Sequence, residues 1–383
     1  MSSRAMMIVA GEASADLHGA RLLRVLRRRI PDLACFGIGG PSLEEAGAEI
    51  LFKAADLAVV GITEAAAKAP TLLRALSFSR RELARRRPHL LVLIDFPDFN
   101  LMLARTAKRL GIPVLYYISP QVWAWRPGRI RTIAARVDHM AVILPFEEAL
   151  YRRHGVPVTF VGHPLMDAAP HPLRGPWTGP IQVGLLPGSR DSEVQRHLPA
   201  MLAAVERLRP RYPEASWRVS VAPTVDPPLV AGILVRHGFP GGYETIIGPT
   251  ADLLATSTLV VAASGTVTLE AAIAGTPTII VYKVSPLSYR LGRLLIRVPY
   301  IGLANLIAGA PLMPELIQDD ANPDAIARSI AALLDDPTRR EQMTTALAEV
   351  RRRLGPPGAT ERLAAIAHRM MGLHPRLPAR LSP

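Results

Sequence analysis

LLVLIDFPD, residues 90–98, runs through five aliphatic residues and turns polar at Asp95. A strand with one wet face alternates apolar and polar side chains. A short unbroken apolar run instead belongs to a strand buried on both faces, as in a parallel sheet covered by helices. MMIVAG (6–11), VLYYIS (114–119), HMAVILP (139–145) and VTFVG (158–162) follow the same pattern. Segments around 16–29, 70–86, 99–110 and 146–153 fit amphipathic helices between them. Such alternation of strand and helix predicts a doubly wound α/β domain.

A second series opens at IQVGLLPGSR (181–190) and continues through WRVSVAP (217–223), TLVVAAS (258–264) and TPTIIVY (276–282). Between the two series, DAAPHPLRGPWTGP (167–180) is rich in proline and glycine and has no hydrophobic period, as a linker would be. After about residue 323 the chain reads as helices, broken at GPPG (355–358). The expected organisation is a first domain over 1–166, a linker over 167–180 and a second domain over 181–345. A helical tail over 346–383 follows, with the first domain as its expected packing partner.

Composition sets outer limits. The chain has 383 residues, enough for two domains, and is 49% hydrophobic and 20% charged, an ordinary globular balance. The single cysteine, Cys35, excludes internal disulfides, and MSSRAMMIVAG at the start lacks the three regions of a signal peptide. A reducing cytoplasm is the expected compartment. The most apolar window, 256–282, is interrupted by Glu270, by glycine and proline, and by repeated Ser and Thr, which argues against a membrane span. The formal charge of +13 favours an anionic partner: nucleic acid, a membrane surface or a phosphorylated substrate. Charge alone does not choose among them.

In an open parallel sheet ligands bind beyond the carboxyl ends of the strands, so the loops there carry the functional reading. PGSR (187–190) offers amides at Gly188 and Ser189 and the cation of Arg190 at a helix start, a plausible phosphate cradle. ASGT (263–266) repeats the device with Ser264, Gly265 and Thr266, and Glu270 one turn later is either a two-oxygen acceptor for a ribose diol or a solvated helix acid. DFPDFN (95–100) sets Asp95 and Asp98 three apart at a strand end, where a carboxylate serves either as a general base or as a helix cap. There is no DxD motif, and His18, His139, His154 and His163 have no ligand spacing, so no catalytic metal is indicated. GIGG (37–40) is not the dinucleotide fingerprint and follows the second strand, against a nicotinamide dehydrogenase.

Two stretches have the makings of an interfacial helix. One is PTLLRALSFSRREL (70–83), with Leu72, Leu73, Leu76 and Leu83 beside Arg74, Arg80 and Arg81. The other is SPLSYRLGRLLIRV (285–298), with Arg290, Arg293 and Arg297 beside Leu291, Leu294 and Leu295. Both also fit ordinary helices packed on a sheet, the more frequent case. In YYISPQVWAWRPGRI (116–130), Trp123 and Trp125 follow a strand and a proline, so they are read as an ordered loop. Its rings either brace that loop or offer a stacking platform for nucleic acid.

GEASADLHG (11–19), FGIGGP (36–41), VVGITE (59–64), IDFPDFN (94–100), YISPQVWAWRPGR (117–129), LPFE (144–147), FVGHPLMD (160–167), LLPGSRDSEV (185–194), ASGTVTLE (263–270) and NLIAG (305–309) resemble, in this order, the lipid-A-disaccharide synthases. The resemblance spans about residues 6 to 320. It implies a GT-B-type architecture of two Rossmann-like domains facing across a cleft. The activity it implies is transfer of 2,3-diacylglucosamine from UDP to the 6-hydroxyl of 2,3-diacylglucosamine 1-phosphate. That transfer gives a β-1,6 disaccharide with inversion and without metal or other cofactor. Asp98 is then the expected base, and Arg190 neutralises the departing UDP. Gly188, Ser189, Ser264, Gly265, Thr266, Glu270 and Asn305 hold the donor, while Gly11, Glu12, Asp16, Ser119, Gln121 and Arg126 line the acceptor side.

The expected setting is the cytoplasmic face of the inner membrane, held peripherally, with no nucleic acid partner and with a homodimer as an open option. The chain departs from the family pattern at Ala310, where arginine is common, and at Ala304, where proline is. Either Arg293 or Arg297 covers the missing charge, or the donor is held less tightly. The rival readings are a UDP-N-acetylglucosamine 2-epimerase or a peptidoglycan-type N-acetylglucosamine transferase of the same architecture, and a non-enzymatic basic protein for membrane or nucleic acid.

Overall fold

The computed structural model describes residues 4–57, 62–168, 177, 179–237, 243–296 and 298–373. Most of the linker reading, the 59–61 part of VVGITE, Arg297 and the last ten residues of the tail lie outside these. Strands β1 (Ala5–Ala10), β2 (Ala34–Gly39), β3 (Glu49–Lys53), β4 (Leu90–Ile94), β5 (Val114–Tyr117), β6 (His139–Val142) and β7 (Val158–Phe160) form one sheet in the order β3-β2-β1-β4-β5-β6-β7. A second sheet contains β8 (Gln182–Leu186), β9 (Ser216–Val221), β10 (Glu244–Ile247), β11 (Leu259–Ala263), β12 (Thr278–Tyr282) and β13 (Glu315–Ile317) in the order β10-β9-β8-β11-β12-β13. Every pairing is parallel. Both sheets are doubly wound in the Rossmann manner.

The unbroken apolar runs follow from this layering. Along β1, Met6, Ile8 and Ala10 pack with Leu22, Leu23 and Leu26 of the helix Ala13–Arg29 and with Leu363 and Ile366 of the helix Ala359–Leu373. Met7 and Val9 point the other way, among Leu76 and Leu83 of the helix Ile62–Arg86 and Leu103 of the helix Pro97–Arg109. In β4, Leu90, Val92 and Ile94 join the first cluster, and Leu91 and Leu93 the second. All five are fully buried, at about 1.5–3 kcal/mol of hydrophobic stabilisation each. Truncating Leu93 to alanine would cost about 2–5 kcal/mol.

The chain divides into two compact units, Met1–Asp167 with Pro356–Pro383, and Ala168–Gly355. The boundary after the second sheet therefore lies at Gly355, not at residue 345. The reason is the helix Pro337–Arg353, which belongs to the second unit: Thr344 donates to the Gly275 carbonyl, and Arg351 to that of Ile273. The following helix, Ala359–Leu373, packs in the first unit. Its start is fixed by Asp167, whose carboxylate accepts from the amides of Gly358 (2.6 Å), Ala359 (3.0 Å) and Thr360 (3.1 Å).

Candidate functional site

In each sheet the chain reverses direction of growth between two neighbouring strands, β1 and β4 in the first and β8 and β11 in the second. Crevices at the carboxyl ends form there. In the second unit a cavity of about 510 Å³ opens at this switch point, bounded by loops after β8, β9, β10 and β11. Gly188, Ser189, Arg190, Ser264, Gly265, Thr266 and Glu270 all line it, so the structure brings these expected donor residues together.

Its walls carry donors on one side and charged side chains on the other. The helix Val267–Ala274 starts at Thr266, so the amides of Gly265, Thr266 and Val267 have no preceding helical carbonyl to bind. Opposite, Arg190 is the N-cap of the helix Asp191–Leu208, and its guanidinium pairs with Glu193 at 2.8 Å. Glu193 also accepts from the Ser189 amide at 2.9 Å. Gly188 has φ +133°, and a Cβ there would meet a Glu193 carboxylate oxygen at 2.5 Å, so only glycine lets the loop turn this tightly. Glu270 receives the Thr250 hydroxyl. Glu193 and Thr250 escaped sequence reasoning as site residues; Glu193 stood in the PGSRDSE loop, whereas Thr250 follows a short polar strand that leaves no signal.

His197 ties this wall together from behind. It is buried; its Nδ1 lies 2.8 Å from the Pro187 carbonyl and its Nε2 accepts from the Lys283 amide at 3.0 Å. That pair of partners requires the neutral ring protonated on Nδ1. Burial pushes its pKa below the ordinary histidine value, consistent with that form.

Asn305, in contrast, does not reach the cavity. It is fully buried, and its amide bonds the Met313 carbonyl and amide (2.8 and 2.9 Å) and Glu315 (2.8 Å), so its work is to hold its own loop. Arg293, offered as a substitute for the charge missing at Ala310, lies over the Tyr289 ring.

At the switch point of the first unit, Gly11 sits under Phe96: a Cβ on Gly11 would lie 2.5 Å from the Phe96 ring. The loops after β1 and β4 are thereby drawn together, bringing Glu12 near Asp95. Asp95 and Phe96 both have φ +47°, a left-handed backbone that non-glycine residues adopt at a cost and that clusters at functional sites. The Asp95 carbonyl is held by Asn100 Nδ2 (2.6 Å) and Tyr116 Oη (2.5 Å). Burial, with the Glu12 charge adding to it, pushes the Asp95 carboxyl up to about 6.

Asp98 is differently placed. Its side chain is 72% exposed, is bound by the Arg129 guanidinium, and has Arg126 at 3.7 Å. Arg126 and Arg129 in turn stack on Trp125, at 4.7 and 5.7 Å from the ring. Trp123 packs edge-on against Phe146 and donates to Glu147 at 3.1 Å. The tryptophans thus brace the loop, and Gln121 and Arg126 are exposed on it.

Two residues expected on the acceptor side are structural. Ser119 is buried, bonded to Tyr151 Oη at 2.7 Å and to the Pro120 carbonyl. Asp16 is 3% exposed and caps the helix Pro41–Glu45 through the amides of Gly40, Ser42 and Leu43. Among the described residues, no three His, Cys, Asp or Glu side chains gather as metal ligands would.

Two Rossmann-like units in tandem, the second with a pocket lined by helix-start amides, an arginine and a carboxylate, define a protein of the GT-B class. Solved structures share the fold. A putative UDP-N-acetylglucosamine 2-epimerase from Listeria monocytogenes superposes with a TM-score of 0.64 at 13% identity, covering 98% of each chain. The calicheamicin glycosyltransferase CalG4 does so with a TM-score of 0.62 at 15% identity, covering 97% of this chain and 99% of that one. The model of the family "Lipid-A-disaccharide synthetase" matches residues 6–367. The chain is 48% identical over 375 residues to a lipid-A-disaccharide synthase of Syntrophus aciditrophicus, covering 96% of this chain and 98% of that one. It is 46% identical over 379 residues to the synthase of Geobacter sulfurreducens, covering 97% and 98%. The chain belongs to the lipid-A-disaccharide synthase family, and it is a glycosyltransferase.

Proposed function

We propose that this enzyme transfers a 2,3-diacylglucosamine unit from its UDP ester to the 6-hydroxyl of 2,3-diacylglucosamine 1-phosphate. The products are a β-1,6 disaccharide 1-phosphate and UDP. The observation that carries the reading is the second unit's cavity, where Arg190, the 265–267 amides and Glu270 are gathered at one switch point. Together they match the diphosphate and ribose of UDP.

In a single inverting displacement the hydroxyl oxygen bonds to the anomeric carbon as the bond to the diphosphate breaks. No enzyme nucleophile is needed, and the leaving charge passes to fixed donors, Arg190 and the helix-start amides. For the hydroxyl proton, the proposal moves from Asp98 to Asp95. Asp98 already has a guanidinium on its carboxylate. Asp95 has the raised pKa a general base near neutral pH requires, with Glu12 beside it.

Because both substrates carry acyl chains, the reaction is placed at the cytoplasmic surface of the inner membrane. Among the described residues no helix is long and apolar enough to cross a membrane. The test uses purified protein with both acyl sugars in detergent micelles. UDP release with a tetraacyl disaccharide 1-phosphate is the expected result; absence of product from folded protein overturns the reading.

A further inference from the structure

Exposed apolar side chains on this protein are mostly isolated, as Leu17, Leu73, Met102, Val235 and Ile247 are, and singly they need no explanation. Leu294, Leu295 and Ile296 differ. They are 76%, 61% and 49% exposed, and among the described residues they are the only three consecutive large apolar side chains left in solvent. Such a run is a defect in a soluble surface unless something covers it.

The run closes the helix Pro286–Leu295, on which Arg290, Arg293 and Leu294 share a face at the i, i+3, i+4 spacing, both arginines exposed. From residue 271 to residue 314 the sequence contains Lys283, Arg290, Arg293 and Arg297 and not one Asp or Glu. Cations flanking an apolar tip, on a stretch that carries no acid of its own, complement an anionic lipid surface: leucines enter the acyl boundary and arginines meet the headgroups. The other candidate helix is built otherwise. Leu76 and Leu83 of Ile62–Arg86 are buried in the core, so Leu73 is the one exposed leucine of its stripe, beside the exposed Arg74, Arg80 and Arg81.

Position supports the same partner. The helix follows β12, so it leaves the carboxyl edge of the second sheet, where the cavity opens. Lys283, just before it, is joined through His197 to the Pro187 carbonyl at the root of the PGSR loop.

We propose that the 286–296 segment is a membrane-docking surface for anionic phospholipid, seating the donor unit where an acylated UDP-sugar is drawn from the bilayer. The inference rests on the acyl-substrate reading. It is tested by co-sedimentation of the full-length protein with vesicles of phosphatidylcholine, with and without phosphatidylglycerol. The expected result is binding to the anionic vesicles only, weakened by salt. Combined Leu294→Ser, Leu295→Ser and Ile296→Ser replacement should lower it about tenfold or more while micelle activity is kept.

As an independent measurement, Leu295→Cys carrying an environment-sensitive dye should shift its emission to the blue on anionic vesicles; Cys35 is buried and stays unlabelled. Unchanged vesicle binding by the triple variant, equal binding to neutral vesicles, or no dye shift overturns the proposal. A parent dimer that the triple variant splits, with vesicle binding intact, assigns the patch to a second copy instead. Failure of the micelle assay overturns the acyl-sugar reading and leaves the vesicle result standing by itself.

Discussion

The indole nitrogen of Trp123 donates to a carboxylate oxygen of Glu147, 3.1 Å away, and the other oxygen of that buried group accepts from the Leu144 amide. Burial raises the Glu147 carboxyl from 4.5 to about 7 despite these bonds. Between those values the unfolded chain has released the proton and the folded chain has kept it, so stability falls as pH rises through the window. Urea unfolding should show Glu147→Gln losing that pH slope. Trp123→Phe should lower stability by about 1–3 kcal/mol, since a buried acceptor loses its donor.

Asp95→Asn should lower kcat by about 10²–10⁴-fold, the range for a lost general base. For the parent, kcat/KM should fall below about pH 6, where Asp95 takes up its proton. The same substitution should stabilise the fold. An ionised Asp95 opposes folding above pH 6, because its carboxyl is raised from 3.8; removing the charge should gain roughly 1–3 kcal/mol at pH 8 and little at pH 4. Asp98→Asn, which loses the exposed pairs with Arg129 and Arg126, should change kcat by less than about tenfold. A reversed ranking of the two variants would return the base role to Asp98.

How far the sequence could be read depends on what each feature needs. Strands buried on both faces announce themselves, as LLVLI does, because burial on each side excludes polar residues. The edge strands Glu49–Lys53, Glu244–Ile247 and Glu315–Ile317 do not, being short and carrying glutamate. Loops at carboxyl ends could be named in advance, and seven donor residues meet in one cavity. What could not be read is which polar side chain turns inward. Asp16, Ser119 and Asn305 sit in cleft-like motifs, yet partners 24, 32 and 8 residues away along the chain use them for capping and bracing. Asp95 and Asp98 look alike in sequence; burial, with the remote Glu12 adding to it, raises the first, and the remote Arg129 pairs with the second.

At the PGSR loop, Arg190→Ala should weaken UDP binding about tenfold to a hundredfold by calorimetry, with the fold unchanged because the residue is largely exposed. Gly188→Ala should be at least as damaging for a different reason. Its Cβ would push Glu193 out of the turn, so the melting temperature should fall as well as the affinity.

His197 joins the PGSR loop to the strand-end that carries Lys283, yet it does not line the cavity. A residue of that kind positions; it does not react. His197→Ala removes both bonds, and the expected signature is a higher KM for the UDP-sugar with kcat within a few fold. His197→Asn keeps one donor and one acceptor and should recover part of the loss. The pH dependence has a definite sign. Burial holds the pKa below 6.5, so the neutral ring stabilises the fold above that value, and the contribution is lost as pH falls through the folded pKa. Protonation also takes the Nε2 lone pair from the Lys283 amide, so KM for the donor should rise on the acid side in the parent and stay flat in His197→Ala. A kcat loss with unchanged KM would instead place His197 in the chemistry.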